Sequence, residues 1–477
     1  MGTIDYVVIV LFLVSMLAIG FIAKGHVKDM DDFILGGKRF NRFALTGTIL
    51  ATMMGSGMTM GAVGSVYTSG IAGSMVWIYG GFAVGLVVLG FMSKKIRDTQ
   101  ARSLAEIVNK SFGKYARLTS AIVVIVYAVS LVAINIAGFR TIIIYAFGDN
   151  FSLSIPVATT IATLVCITFT AIGGMFAVVW TDTAQLVIMI VGLFIIGPIV
   201  GITAAGGFDA VAVGVEAQGL SMTDPLANGM SPALLGFSLS YFLACPGDPT
   251  MPQRVLSART DGTAKFSFIV SGCCAVLFTL SLLFMGSSII TLIPGIDNAD
   301  AALPMFIVKY YPPVLKGIAI AGIIAAVMSS FSSFLILATT HLTYDVGQVI
   351  KEDLDEKTIN KTMPILTVVI GLFGLIIALF IQSLLGYLSM VFSIVGASLV
   401  PVLFAALYFK EHTSKVGAIA SIAVGAIVPA VLFLTKGYDV LLGDPVFLGL
   451  FSSVAVLILG SLFFKDKKKL DVKEGVA

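Results

Sequence analysis

The sequence predicts an all-α membrane protein of about 13 transmembrane helices. Of its 477 residues 58% are hydrophobic and only 12% charged, and the mean hydropathy is +1.04. A soluble domain is nearer half apolar and a quarter charged, so this chain has too little polar surface for water. Apolar runs of roughly 18 residues or more recur along it, each long enough to cross a ~30 Å hydrocarbon core as a helix. Backbone groups in lipid must be satisfied within the protein, and long runs without alternation point to helices rather than to a β-barrel.

The runs place spans near 5–23, 44–68, 72–93, 117–146, 153–172, 177–203, 233–253, 266–293, 315–343, 363–383, 385–409, 414–434 and 446–464. The first begins at Tyr6 with neither a basic flank nor a small-residue cleavage site, so it reads as a retained span. Charge then fixes the orientation. Segments 24–42, 94–117, 254–265, 344–362, 410–415 and the tail after Phe464 hold 25 of the 29 Lys and Arg; the other side holds Arg140, Lys309, Lys316 and Lys436. The basic side is expected in the cytoplasm. An odd number of spans then puts the N-terminus outside and the C-terminus inside, with Asp209, Glu216 and Asp224 in the longest outer loop. The expected location is the cell inner membrane, with multiple passes.

Several chemistries are excluded. The histidines His26, His341 and His412 are widely separated, and no zinc-protease motif, nucleophile elbow or phosphate-binding glycine loop occurs. Cys166, Cys245, Cys273 and Cys274 lie in apolar segments without metal-type spacing and read as buried, inert thiols. An enzyme is not expected, and neither is a nucleic-acid partner. Without an ATPase motif, any work done must draw on an ion gradient.

Two spans carry helix breakers near mid-membrane. The second reads Ala51-Thr-Met-Met-Gly55-Ser-Gly57 and the seventh Ala244-Cys-Pro246-Gly247-Asp248-Pro249. Proline removes a donor and glycine loosens the backbone, so both helices should open there. Each is the first helix of a five-helix block. Interrupted helices at matching places of two halves mark the binding site of inverted-repeat transporters, although Gly and Pro are also frequent in ordinary membrane helices. The implied division is 1–43 as a flanking helix and loop, 44–203 as a first repeat, 204–232 as an outer loop, 233–410 as a second repeat, and 411–477 as two flanking helices with a basic tail.

The ninth span contributes Ser329, Ser330, Ser332 and Ser333 within two turns of Ala326. A hard cation such as sodium takes several oxygen ligands, and these hydroxyls could combine with carbonyls freed near Ala51 and Met54. Equally, such serines can bond their own backbone or join helices. Asp182 begins the sixth span. An ionisable group inside a span costs on the order of 3 kcal/mol to insert, which favours a functional role, as a second cation site or a lining of the inner exit; a helix-start or snorkelling carboxylate is the structural alternative. Asp248 sits inside the seventh span's break, where it could cap the following half-helix, ligate a cation or pair with an amine. Met53, Ser56 and Tyr241 join Asp248 as candidate solute contacts if they face the cavity between the two breaks. Arg140, Trp77 and Trp180 read as interfacial anchors or packing residues.

Asp32-Phe-Ile-Leu-Gly-Gly-Lys38-Arg39, the GGMFAVVWTDTAQ stretch at 173–185, Gln253-Arg254-Val-Leu-Ser-Ala and AAVMSSFSS at 325–333, in this order, resemble the sodium:solute symporter family over essentially the whole chain. The resemblance implies a LeuT-type five-plus-five inverted repeat. It implies a sodium-coupled symporter that imports a small organic solute by alternating access across the lipid bilayer; proton coupling, or a passive facilitator of the same fold, is the alternative, and while a monomer is the simplest expectation, the sequence does not fix the oligomeric state. Carried over, the family's usual sodium site corresponds to the carbonyls of Ala51, Met54 and Ala326 with the hydroxyls of Ser329 and Ser330. A second sodium, present in some members, corresponds to Asp182, Ser329, Ser332 and Ser333. The segments around Gln253 and Ala326 are most similar to the choline-transporter branch. A quaternary ammonium wants an aromatic cage, however, and Met53 and Asp248 stand where cage tryptophans would align, so choline is disfavoured against a protonated amine or a polyol.

Overall fold

The computed structural model describes residues 1–24, 34–71, 75–148, 153–170, 174–227, 231–350, 356–436 and 444–464. His26, Asp32, Phe33, Gly173 and the tail after Phe464 lie outside the described residues. The described chain is helical throughout: α1 (Thr3–Lys24), α2 (Arg42–Met53), α3 (Gly57–Ser69), α4 (Met75–Asp98), α5 (Leu104–Phe112), α6 (Lys114–Phe147), α7 (Ile155–Thr170), α8 (Gly174–Met189), α9 (Ile196–Ala205), α10 (Phe208–Ala217), α11 (Pro232–Gly247), α12 (Thr250–Ser257), α13 (Asp261–Leu292), α14 (Ala302–Tyr310), α15 (Leu315–Thr340), α16 (Glu356–Ala378), α17 (Leu384–Tyr408), α18 (Lys415–Thr435) and α19 (Pro445–Phe463).

Among the described residues, nine helices are long and apolar enough to cross a membrane, and α2 with α3, bent by 66°, makes a tenth. Ile155–Thr170, Pro232–Gly247 and Thr362–Ala378 are apolar but shorter. The 16 residues of α7 reach about 24 Å at 1.5 Å per residue, less than a full hydrocarbon core. The protein is a multi-pass membrane protein. Large apolar side chains cover its outside: Leu434 is 81% exposed and Phe463 78%, which suits lipid and not water.

Local sequence explains where the helices start. Asn41 caps α2 by accepting from the Ala44 amide at 2.9 Å. Ser103 accepts from the Glu106 amide at 3.0 Å while Glu106 Oε2 accepts from the Arg102 amide at 2.8 Å, a reciprocal cap on α5. Ser231 and Asp444 cap α11 and α19, each followed by proline in the first turn, where a missing N–H costs nothing.

Burial sorts the helices into centre and rim. Every residue of α15 from 319 to 340 is buried, whereas the most apolar stretch of Pro445–Phe463 is only 17% buried. α15 packs on α6, α8 and α1, and α4 packs on α11 and α13. Polar contacts gather the basic segments at one end. The Arg117 guanidinium meets Asp345 at 2.8 Å, and Ser103 donates to the same carboxylate at 3.0 Å. Arg97 meets Asp261 at 2.6 Å, and the Arg259 amide donates to the Phe40 carbonyl at 3.0 Å. At the other end the guanidinium of Arg140 donates to the carbonyls of Ala378 and Ile381, at 2.9 and 3.2 Å, closing the end of α16. Trp77 donates to the Pro225 carbonyl at 3.2 Å there.

The cysteines differ from expectation. Cys166 and Cys245 are buried, but Cys273 is exposed and Cys274 partly so. An apolar segment in lipid has an outward face as apolar as its inward one, so hydropathy alone does not separate them.

The buried Arg117–Asp345 pair yields a test. Removing one partner of a buried ion pair typically costs about 3–5 kcal/mol. Arg117→Gln should therefore lower the thermal midpoint in detergent markedly, and Arg117→Gln with Asp345→Asn should recover part of the loss; additive losses would contradict the pairing.

Candidate functional site

Both expected breaks are present. α2 ends at Met53, and Met54 leaves the helical region with φ −87° and ψ 37°. Its amide still reaches the Leu50 carbonyl at 3.2 Å, but the carbonyls of the last turn of α2 from Ala51 on have no following helical amide and need partners from elsewhere. Glycine is required at 55: a Cβ there would lie 2.7 Å from Ser330 Oγ and 3.0 Å from Asn135 Oδ1. The chain restarts at Ser56, whose amide donates to Asn135 Oδ1 at 3.1 Å and whose hydroxyl donates to the Ile134 carbonyl at 3.0 Å. In the other break α11 ends after Pro246, Asp248 is extended (φ −66°, ψ 111°), and Pro249 leads into α12.

The serine row of α15 lies against the first break. Ser329 donates to the carbonyls of Ala51 and Ala326, at 3.0 and 3.1 Å, and Ser330 donates to the Thr52 carbonyl at 2.7 Å. Ala51, Ala326, Ser329 and Ser330 are thus brought together, with Met54 at the bend beside them. The oxygens are neutral and buried, a donor set that suits a hard monovalent cation. Each hydroxyl that now donates to a carbonyl can rotate to offer a lone pair instead.

The other four residues do not form one set. Asp182 is completely buried, nine residues into α8, which rules out a snorkelling carboxylate. Its Oδ2 accepts from Thr48 at 2.7 Å and Thr52 at 3.4 Å, and Arg254 Nη2 lies 3.8 Å away. Ser333 Oγ is 3.0 Å from Thr52 Oγ1 and accepts from Arg254 Nη2 at 2.9 Å. Ser332, in contrast, donates to the Ser329 carbonyl of its own helix at 3.1 Å, and Ser329 belongs to the first cluster. Thr48 and Thr52 were not singled out from the sequence, and Arg254 was noted only within its motif and given no role in the site. The spacing of Thr48 and Thr52, four apart on one face of the helix that leads into the break, is the signal that could have found the two threonines.

Asp248 resolves toward capping: its Oδ1 accepts from the Thr250 amide at 2.9 Å and the Thr250 hydroxyl at 2.8 Å. It also lines a cavity of ≈ 30 Å³ between the two breaks, together with Met53, Ser56 and Asn135. Tyr241 does not line it; its hydroxyl is 3.3 Å from Ser389 Oγ, and its ring packs edge-on to Phe392 with centroids 5.0 Å apart. The cavity wall is nevertheless aromatic. Phe82, Phe334 and Phe392 come from spans that the two motif positions could not report on. Among the described residues no group of three or more His, Cys, Asp or Glu could hold a metal ion.

The chain is similar in sequence and in fold to known proteins. The chain is 26% identical over 479 residues to the sodium/proline symporter of Escherichia coli (strain K12), covering 94% of this chain and 90% of that one. It is 26% identical over 490 residues to the sodium/glucose cotransporter of Vibrio parahaemolyticus, covering 90% and 85%. A solved structure of a Na+-coupled sialic acid symporter, in a substrate-bound outward-open state, superposes with TM-score 0.80 over 97% of this chain and 98% of that one, at 22% identity, a likeness of fold. Residues 33–425 match the sodium:solute symporter family. With that match spanning most of the chain, and with transporters rather than enzymes as its relatives, the protein belongs to the sodium:solute symporter family.

Proposed function

We propose that the protein is a secondary active symporter that uses sodium to import a small organic solute by alternating access. One observation carries this reading: the hydroxyls of Ser329 and Ser330 meet the carbonyls of Ala51 and Thr52 in the broken α2 at 2.7–3.0 Å, a buried set of neutral oxygens. A sodium bound there by Ala51, Met54, Ala326, Ser329 and Ser330 bridges a broken helix to the central helix, and so favours one arrangement of the two over another. The solute site is assigned to the cavity between the breaks, with Met53, Ser56 and Asp248 in its wall and Tyr241 behind Phe392. Each sodium moving down ~100 mV contributes about 2.3 kcal/mol, close to fiftyfold accumulation of a neutral solute at 1.4 kcal/mol per decade.

We extend the proposal to topology. The 13 spans take the N-terminus outside and the C-terminus inside the cell inner membrane, with the five-helix blocks 44–203 and 233–410 as inverted repeats. The clustering of basic segments at one end supports this orientation. For the solute, an anionic group at Asp248 beside the amide of Asn135 and three phenylalanine rings favours a small molecule with a protonated amine and an apolar body. The proline symporter among the relatives fits that class, and the glucose cotransporter keeps a polyol in view.

In proteoliposomes, an inward sodium gradient should drive solute accumulation that an equal potassium gradient does not; equal accumulation in both would remove sodium coupling. The solute itself should emerge from a thermal-shift screen of amines, amino acids, sugars and carboxylates, through a stabilisation that grows with sodium. Ser330→Ala should raise the sodium concentration for half-maximal uptake roughly tenfold, the size of one lost hydrogen-bonding ligand. Gly55→Ala should lower the thermal midpoint and remove sodium stabilisation together, because the added methyl overpacks the bend at about 1–3 kcal/mol. A Gly55→Ala protein with unchanged sodium response would contradict the close approach.

A further inference from the structure

We propose that the guanidinium of Arg254 is a tethered cation standing where a second sodium would otherwise sit, so that the protein carries one sodium per cycle. The proposal rests on the sodium-symport reading above and adds the ion count. The resemblance offers Asp182, Ser329, Ser332 and Ser333 as a second ion site, and all four carry oxygens. Their arrangement does not fit that use.

Arg254 is only 1% exposed. Its Nη2 donates to Ser333 Oγ at 2.9 Å and also to Thr52 Oγ1, its Nε donates to Thr48 Oγ1 at 3.3 Å, and its Nη1 donates to the Thr250 carbonyl at 3.2 Å. Nη2 stands 3.8 Å from Asp182 Oδ2, and Thr48 and Thr52 donate to that same oxygen. The cluster therefore already contains one negative and one positive charge, joined through two threonine hydroxyls. Of the four oxygen-bearing residues, Asp182 and Ser333 face the guanidinium, Ser332 is turned to its own backbone, and Ser329 serves the first site. A sodium placed on Asp182 would meet a full positive charge within a few ångströms in a low-dielectric interior. Arginine stays protonated in proteins, so this charge does not dissociate as an ion would.

One feature shows what the guanidinium holds in check. Asp182 Oδ1 is buried without a hydrogen-bond partner. A buried carboxylate with a free oxygen, beside Ser333 and two threonines, is a strong cation ligand as soon as the internal cation is removed.

Equilibrium binding of sodium-22 to the full-length protein in lipid nanodiscs tests this. The wild type should saturate at one ion per chain. Arg254→Gln should saturate at two, and Arg254→Gln combined with Asp182→Asn should return to one. Two ions on the wild type would overturn the tethered cation and leave sodium symport standing. Arg254→Gln remaining at one would overturn it as well, because Asp182 would then have no claim on sodium. No sodium on the wild type would bring down the symport reading itself. Should Arg254→Gln fail to fold, Arg254→Met, which keeps the apolar stem and removes the charge, takes its place with the same expected counts.

Discussion

A backbone carbonyl without a partner in a membrane interior is costly, and two interrupted helices create several of them at once. This constraint organises the molecule. At the first break the open carbonyls of Ala51 and Thr52 are met by Ser329 and Ser330, and the Ser56 amide that restarts the chain is met by Asn135. At the second, Asp248 supplies the cap for α12. The first set of partners suits a sodium ion as well as a hydrogen-bond network. The second places a carboxylate on a cavity wall.

The partners come from helices of different character. α15 is unbroken and buried from 319 to 340, so the serine row is enclosed by its neighbours. α2 and α12, by contrast, are short pieces that meet their continuations at non-helical residues, and backbone motion concentrates at such junctions. An ion held between a fixed helix and a hinged one couples its own binding to the hinge. The same logic applies to Arg254, which reaches from the hinged α12 to Asp182 on α8 and Ser333 on α15. The C-terminal half of the seventh span is thereby tied to α8 and α15. If the proposed solute site lies between the breaks, its ≈ 30 Å³ must widen to admit a molecule of several heavy atoms.

Much of the architecture was legible in the sequence because it depends on local composition. The apolar runs gave the helices, and Gly55 with Ser56 and Pro246 with Pro249 gave the two breaks. Basic content correctly grouped segments that the structure brings to one end, among them those of Arg97, Arg117 and Arg254. The serine row and its meeting with Ala51 also followed from the residues and the family resemblance together. What escaped depends on helix rotation and on distance in sequence. Thr52 and Asp182 are 130 residues apart, and nothing local shows that Arg254 reaches both. Tyr241 was given to the cavity by an assumed helix phase that instead buries it against Phe392. The phenylalanines of the wall lie on three spans with no motif to mark them, and hydropathy could not tell the lipid-facing Cys273 from the buried Cys166.

On the proposed reading, the first break and the serine row of α15 bind sodium directly. Hydrogen–deuterium exchange of the protein in matched sodium and potassium chloride tests it without knowledge of the solute. Sodium should slow amide exchange in peptides spanning 51–57 and 326–333 by at least tenfold, about 1.4 kcal/mol, relative to potassium, with little change in α18 and α19. Equal exchange in the two salts across both peptides would contradict the account.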